Sequence, residues 1–219
     1  EPVRHPESAC PMSVRVEFFF DLSSPWTRLA FANIRPALEG LDYAIIWRPF
    51  LVGGVFNAVN PSVYESRKPE NAARLARSFD WLKQWAELAG VAMNFPSEHH
   101  PLKSVHAMRF CCALEDDQPA LERFASEAFE AYFTHARNLD DPAELVAVAH
   151  ASGLDGAALA ERARSQPVKD RLRANTDEAI ARGAFGSPTI IVPDPGGEEQ
   201  LYFGNDQLPL VRARVAALA

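Results

Sequence analysis

From Val14 to Phe20 the chain reads Val-Arg-Val-Glu-Phe-Phe-Phe, alternating at first and then continuously apolar. Such a β-branched and aromatic run predicts a buried strand. After Asp21-Leu22-Ser23 the period lengthens, with apolar residues at 26, 29, 30 and 34. That spacing is helical, and Ser24 as N-cap with Pro25 at the first helical position gives it a defined start. Gly40 ends the helix, and Leu41–Trp47 predicts a second strand. Strand, helix and strand within about 35 residues make a βαβ unit that presents the helix N-terminus at the sheet edge.

The middle of the chain changes character. Residues 48–60 form a Gly-bearing connector without a clean period. From about Pro69 to Pro167 the sequence is Ala-rich and predicts helices over 70–89, 102–114, 119–137, 142–151 and 155–164, broken at Gly and Pro. Trp81, Trp85 and Leu88 fall at helical spacing and are expected in the core. Mixed structure then returns: a helix over 168–182, a turn at 183–188, a strand over 189–192, a turn at 193–197, a strand over 200–203 and a helix over 206–218. Two short strands bury no core alone, so the two sheet halves must pair across the insert. The expected fold is α/β: a thioredoxin-like domain from 14–50 and 168–219, a helical insertion over 51–167, and a flexible leader over 1–13.

Composition narrows the function. The 219 residues carry 22 Lys and Arg against 29 Asp and Glu, a net charge of −7, which argues against a nucleic-acid partner. No run approaches ~18 uninterrupted apolar residues, so no membrane span is expected. The leader lacks the apolar core of a secretory signal. Three cysteines are too few for a disulfide framework, adjacent Cys111 and Cys112 cannot bridge without strain, and Cys10 is expected to be exposed. A reducing cytosol is the default compartment. His99, His100 and His106 have no Cys or carboxylate at ligand spacing beside them, so no metal is expected. His135 and His150 are read as structural. Gly53-Gly54 is not a phosphate loop, because no Lys-Ser/Thr follows.

Two segments carry candidate chemistry: Ser24-Pro25-Trp26-Thr27 at the first helix, and Gly186-Ser187-Pro188-Thr189 before the third strand. In a thioredoxin-like fold these face each other, and the X-Pro peptide of the second is cis. Neither Ser24 nor Thr27 supplies the thiolate that disulfide exchange requires. A hydroxyl at a helix N-terminus donates instead to an external thiolate. On Ser24 alone, an N-cap with no chemistry is the competing reading.

Residues 20–30 resemble the Ser-Pro segment of the DsbA-like glutathione enzymes, the kappa-class glutathione transferases and the 2-hydroxychromene-2-carboxylate isomerases. Trp47–Phe56 is similar to the isomerases' Arg-Pro-Phe-Leu-x-Gly-Gly connector, Phe185–Thr189 to the family's cis-Pro turn, and Phe203–Asp206 to its late Gly-Ser/Asn-Asp motif. The resemblance implies glutathione as cofactor, with Ser24 stabilising its thiolate. It implies Ser187 beside Pro188 pairing with the tripeptide backbone, and Asn205 and Asp206 holding its γ-glutamyl end. Asn60 is implied as a ligand contact, and Lys68 as a carboxylate partner. Asp206 is also a candidate cap of the last helix.

The implied reaction is a glutathione-dependent isomerisation of a small aromatic substrate by a homodimer. A kappa-type transfer and a non-catalytic DsbA-like protein remain as alternatives. One departure stands out: where the isomerases carry Asp-Leu-x-Arg-Trp-Ala, this chain has Trp81-Leu82-Lys83-Gln84-Trp85-Ala86. Lys83 or Arg77 is then expected to meet a substrate carboxylate, and a less acidic aromatic is expected to fit better.

Overall fold

The computed structural model describes residues 13–219; the expectations for residues 1–12, an exposed Cys10 among them, lie outside this range. Four strands, β1 (Val14–Phe20), β2 (Tyr43–Pro49), β3 (Thr189–Pro193) and β4 (Glu199–Phe203), form one sheet in the order β2-β1-β3-β4. β1 runs parallel to β2 through the crossover helix α1 (Pro25–Ala37) and antiparallel to β3, with Phe18 opposite Ile190. The two halves of the sheet therefore do pair across the insert. β4 returns antiparallel to β3, and α9 (Leu208–Leu218) closes the chain.

β1 reads as continuously apolar because both of its faces are covered. Phe18 and Phe20 point to one side, where Trp47 lies 5.1 Å from the Phe18 ring. That core continues through Phe31 to Phe129, whose rings are 5.1 Å apart. Phe19 points to the other side, into a smaller cluster with Phe50, Val55 and Ile191. At this second face Arg48 and Arg182 sit over the Phe19 ring and share Glu17 at 3.2 and 2.8 Å. Burial works against the Glu17 carboxylate, but its bond to Arg182 and the charges of Arg15 and Arg48 hold its pKa below the ordinary value.

Between β2 and β3 run α2 (Val52–Val59), α3 (Ala72–Ala89), α4 (Val105–Ala113), α5 (Gln118–Phe129), α6 (Pro142–Ala151), α7 (Gly156–Arg164) and α8 (Gln166–Ala181). Asp117, Asp141 and Asp155 each accept an amide as N-cap of α5, α6 and α7. α2 lies where the pattern shows only a connector. Gly53 and Gly54 lower its intrinsic propensity, and tertiary contacts override that: Val52 and Val55 are buried, and the Val52 amide donates to Asp21. The helix expected over 119–137 stops being α-helical at Phe129 and closes with a π-turn over Glu130–Thr134. His135 is exposed and caps that turn, its amide donating to the Glu130 carbonyl, and His150 is exposed in the last turn of α6.

The main correction concerns α3. Trp81, Trp85 and Leu88 are not core: they are 55%, 38% and 79% exposed. The helix carries two apolar stripes about 100° apart, and the one containing Leu82 and Ala86 is buried. Spacing identifies each stripe and does not say which one faces inward. Trp47→Ala should cost about 3–5 kcal/mol of stability. Trp81→Ala should stay within about 0.5 kcal/mol, the range of exposed sites. Denaturant unfolding of the two variants checks this, and a large loss on truncating Trp81 would contradict the orientation of α3.

Candidate functional site

The end of β1 and the start of α1 are held by one buried carboxylate. Asp21 is fully buried, and its Oδ1 accepts from the amide and hydroxyl of Ser23, both at 2.9 Å. Its Oδ2 accepts from the Val52 amide at 2.9 Å and the Ser104 hydroxyl at 3.0 Å. The adjacent Leu22 amide rests on the Met108 sulfur at 3.2 Å. Burial raises the Asp21 pKa above its ordinary 3.8, and the four donors offset this only in part.

On this support stands Ser24, the N-cap of α1, half-buried, with φ −92° and ψ 119°. Its Oγ accepts the Thr27 amide at 3.2 Å and donates to the Ser187 carbonyl at 3.1 Å. Ser187 is buried, and its Oγ lies 2.7 Å from Thr27 Oγ1 and accepts the Asp21 amide at 3.0 Å. The Ser187–Pro188 peptide is cis. Ser24, Thr27 and Ser187 thus form a cluster of three hydroxyls joined across the sheet end.

The other expected residues surround this cluster at different depths. Asn60, the C-cap of α2, donates to the Phe185 carbonyl at 3.0 Å and so ties α2 to the turn that carries Ser187. Asn205 is buried, and its Oδ1 accepts from Asn33 on α1 at 2.7 Å. Asp206 is exposed inside a 3-10 turn and makes no capping bond to α9. Lys68 lies on the surface, ion-paired with Glu65. Sequence reasoning missed Asp21 and Ser104. The available signal was a carboxylate directly following three phenylalanines at a strand end, where a charge is costly unless it is fully bonded.

Beside the cluster opens a cleft of about 430 Å³ lined by Trp26, Trp81, Trp85, Phe203, Gly204 and Asp206. Asp206 is the single charged residue on its wall; Arg77 and Lys83 are exposed and do not line it. Gly186 has no room for a side chain, since a Cβ there would lie 2.6 Å from the Phe203 ring. Among the described residues no three His, Cys, Asp or Glu side chains gather as a metal site, and no helix is long and apolar enough to cross a membrane.

Residues 15–216 match the model of the DsbA-like thioredoxin domain. The chain belongs to the DsbA-like thioredoxin family. Within it, the chain is 25% identical to glutathione S-transferase kappa 1 of Rattus norvegicus over 90% of its length and 88% of the relative's. It is 26% identical to 2-hydroxychromene-2-carboxylate isomerase of Sphingobium xenophagum over 92% and 98% of the two chains. Among solved structures, a 2-hydroxychromene-2-carboxylate isomerase superposes with a TM-score of 0.76 at 22% identity, covering 93% of this chain and 95% of that one.

The buried carboxylate of this DsbA-like chain has a measurable signature. A raised pKa means that the proton is held more tightly in the folded than in the unfolded state. The contribution from Asp21 protonation is therefore fully present below pH 3.8 and is lost as pH rises through the higher folded value. Relative to Asp21→Asn, the wild-type chain should be most stable at pH 3.8 and below, and should lose that advantage progressively as the pH rises above it. Urea unfolding of both proteins across these pH values tests it; a stability difference independent of pH would contradict the assignment.

Proposed function

We propose that this enzyme of the DsbA-like family binds glutathione with the thiol at Ser24, and uses it to isomerise a conjugated aromatic substrate. The observation that carries the reading is the Ser24 hydroxyl, held at the N-terminus of α1 opposite the cis-Pro turn, with threonine and not cysteine three residues on. What glutathione supplies is a nucleophilic sulfur that adds reversibly to a conjugated enone, so that the carbon–carbon double bond rotates while single and re-forms as the thiol leaves.

The chain's own residues do the rest. Ser24 turns its proton from the Ser187 carbonyl to the sulfur, while the Thr27 amide keeps the oxygen in place. The helix field adds about 0.3–1 kcal/mol, up to ~2 in sheltered geometry. At 1.36 kcal/mol per unit, field and hydroxyl together lower a thiol pKa of about 8.5 by roughly one to two units. Ser187 and Pro188 offer a backbone edge to the tripeptide. Asp206 faces the γ-glutamyl ammonium, with Asn205 bracing the turn beneath it. Asn60 holds the Phe185 turn from the other side, and Lys68, which would have to leave Glu65, is the partner this reading assigns to a glutathione carboxylate. Trp26, Trp81 and Trp85 leave flat apolar faces for the aromatic substrate. A homodimer in the cytosol is the setting this reading expects.

The kappa transferase relatives support a second reading, in which the thiolate displaces a leaving group. Product analysis separates the two: isomerisation returns glutathione unchanged, whereas transfer leaves sulfur in the product.

Ser24→Ala should lower turnover about 10- to 1000-fold, a loss of ~1.5–4 kcal/mol in transition-state stabilisation. Glutathione affinity by calorimetry should stay within several-fold, and the thiolate absorbance of the bound tripeptide near neutral pH should fall. Full activity in this variant would remove Ser24 from the mechanism, and absence of glutathione binding to the wild-type chain would leave the non-catalytic alternative. The cleft wall also sets a charge preference. With Asp206 as its charged residue and neither Arg77 nor Lys83 on the wall, uncharged aromatic enones should show a KM at least several-fold below their carboxylated counterparts. Efficient turnover of the hydroxychromene carboxylate, unaffected by Lys83→Ala and Arg77→Ala, would contradict this.

A further inference from the structure

A second concavity lies between α2, α4 and α8. It has a volume of about 490 Å³, and none of the residues that hold Ser24 lines it. Its wall carries three cations, Arg109 from α4 and Lys169 and Arg173 from α8. Lys169 and Arg173 are four residues apart and so share a helix face, with Arg109 on the neighbouring helix. A pocket of about 150 Å³ adjoins it, shares Arg109 and Lys169, and adds His106 and Arg164 to the apolar side chains of Phe110, Leu145 and Val146.

These cations differ from the others near the sheet. Arg48, Arg171 and Arg182 each meet a carboxylate within 3.2 Å. Among the described residues Arg109, Lys169 and Arg173 meet none, and Asp177, the carboxylate on the same wall, pairs with none of them. The Nε atoms of Arg28, Arg48, Arg109 and Arg214 are buried without a hydrogen-bond partner, and of these four Arg109 lines the groove. Three cations without a carboxylate partner on one concavity give it a positive wall in a chain of net charge −7. A buried guanidinium nitrogen lacking an acceptor is costly until an anion supplies one.

The floor is kept open by small residues. α2 contributes Gly54 and Ala58, and a Cβ at Gly54 would already lie 3.0 Å from the Thr176 side chain. Leu51, Val105, Leu172 and Ile180 line the remainder. Cations at one place and apolar surface running away from them match one ligand chemistry, an oxyanion on an apolar body. We propose that this groove is a second binding site, for an amphipathic carboxylate or phosphate ester whose oxyanion meets Arg109 and Lys169 and whose apolar part lies along the floor formed by Leu51, Leu172 and Ile180. Both α2 faces would then be used, since α2 turns its Val52 amide and Asn60 toward the glutathione site and Gly54 and Ala58 toward the groove.

Calorimetric titration of the full chain with decanoate tests the proposal, with decanol and inorganic phosphate as the tail alone and the anion alone. Decanoate should bind at least tenfold more tightly than either, and saturating glutathione should not displace it. Arg109→Met combined with Lys169→Met should weaken decanoate at least tenfold, as should the surface charge reversal Lys169→Glu on its own. Arg171→Gln, which removes a cation paired with Asp116 outside the groove, should leave the affinity within twofold. Decanoate should also protect Lys169 from acetic anhydride while Lys68, Lys83 and Lys103 react as before, a readout independent of variant folding. Failure of decanoate to bind would overturn the proposal. So would displacement by glutathione, equal binding of decanol or inorganic phosphate, or indifference to the charge reversal.

Discussion

A carboxylate placed where water cannot reach must find its hydrogen-bond donors in the protein, and the Asp21 carboxylate finds four of them on three segments. Ser23 belongs to the turn after β1, Val52 begins α2, and Ser104 directly precedes α4. Satisfying one anion therefore brings the turn after β1 and the starts of α2 and α4 to a single point. The sheet supplies the position, since Asp21 follows β1, the strand flanked on both sides by others. The hydroxyl cluster of Ser24, Thr27 and Ser187 rests directly on this arrangement through the Asp21 amide.

That cluster is already internally bonded. The Ser24 proton lies on the Ser187 carbonyl, and Ser187 Oγ is shared with Thr27. A bound sulfur therefore competes with an existing acceptor and does not meet an idle hydroxyl, so its advantage is the difference between two hydrogen bonds plus the helix field. The neighbouring cleft is built differently. Two of its indole faces are supplied by α3, whose second apolar stripe is left uncovered, and the third by Trp26 of α1, so its shape depends on where the two helices lie against each other.

The strands, the crossover helix and the hydroxyl motifs were legible because each leaves a local mark. Phe18-Phe19-Phe20 states a strand covered twice, and Ser24-Pro25 states a helix start. What escaped depends on contacts distant in sequence. α2 forms over two glycines because Asp21 and the Phe19 cluster hold its ends and its apolar side. Trp81 and Trp85 read as interior because hydrophobic period reports a stripe and not its orientation, and Leu82 and Ala86 take the inward one. Asp21 was passed over because a charge beside Ser24 reads as a turn residue until its four donors are seen together. Asn60 and Asn205 were legible only through family motifs, since the carbonyl and amide they serve lie 125 and 172 residues away.

The contact between Ser24 and Ser187 joins residues 163 positions apart. The hydrogen bonds within each helix close loops of a few residues, whereas this contact requires a long loop to be searched and closed. The turn that carries Ser187 follows the whole helical region, so β1, α1 and β2 are synthesised long before the residue that completes the pocket. Competence for binding is in this sense a report on the end of folding: it arrives with β3, all at once, and partly folded forms that already contain every element of the helical region do not possess it.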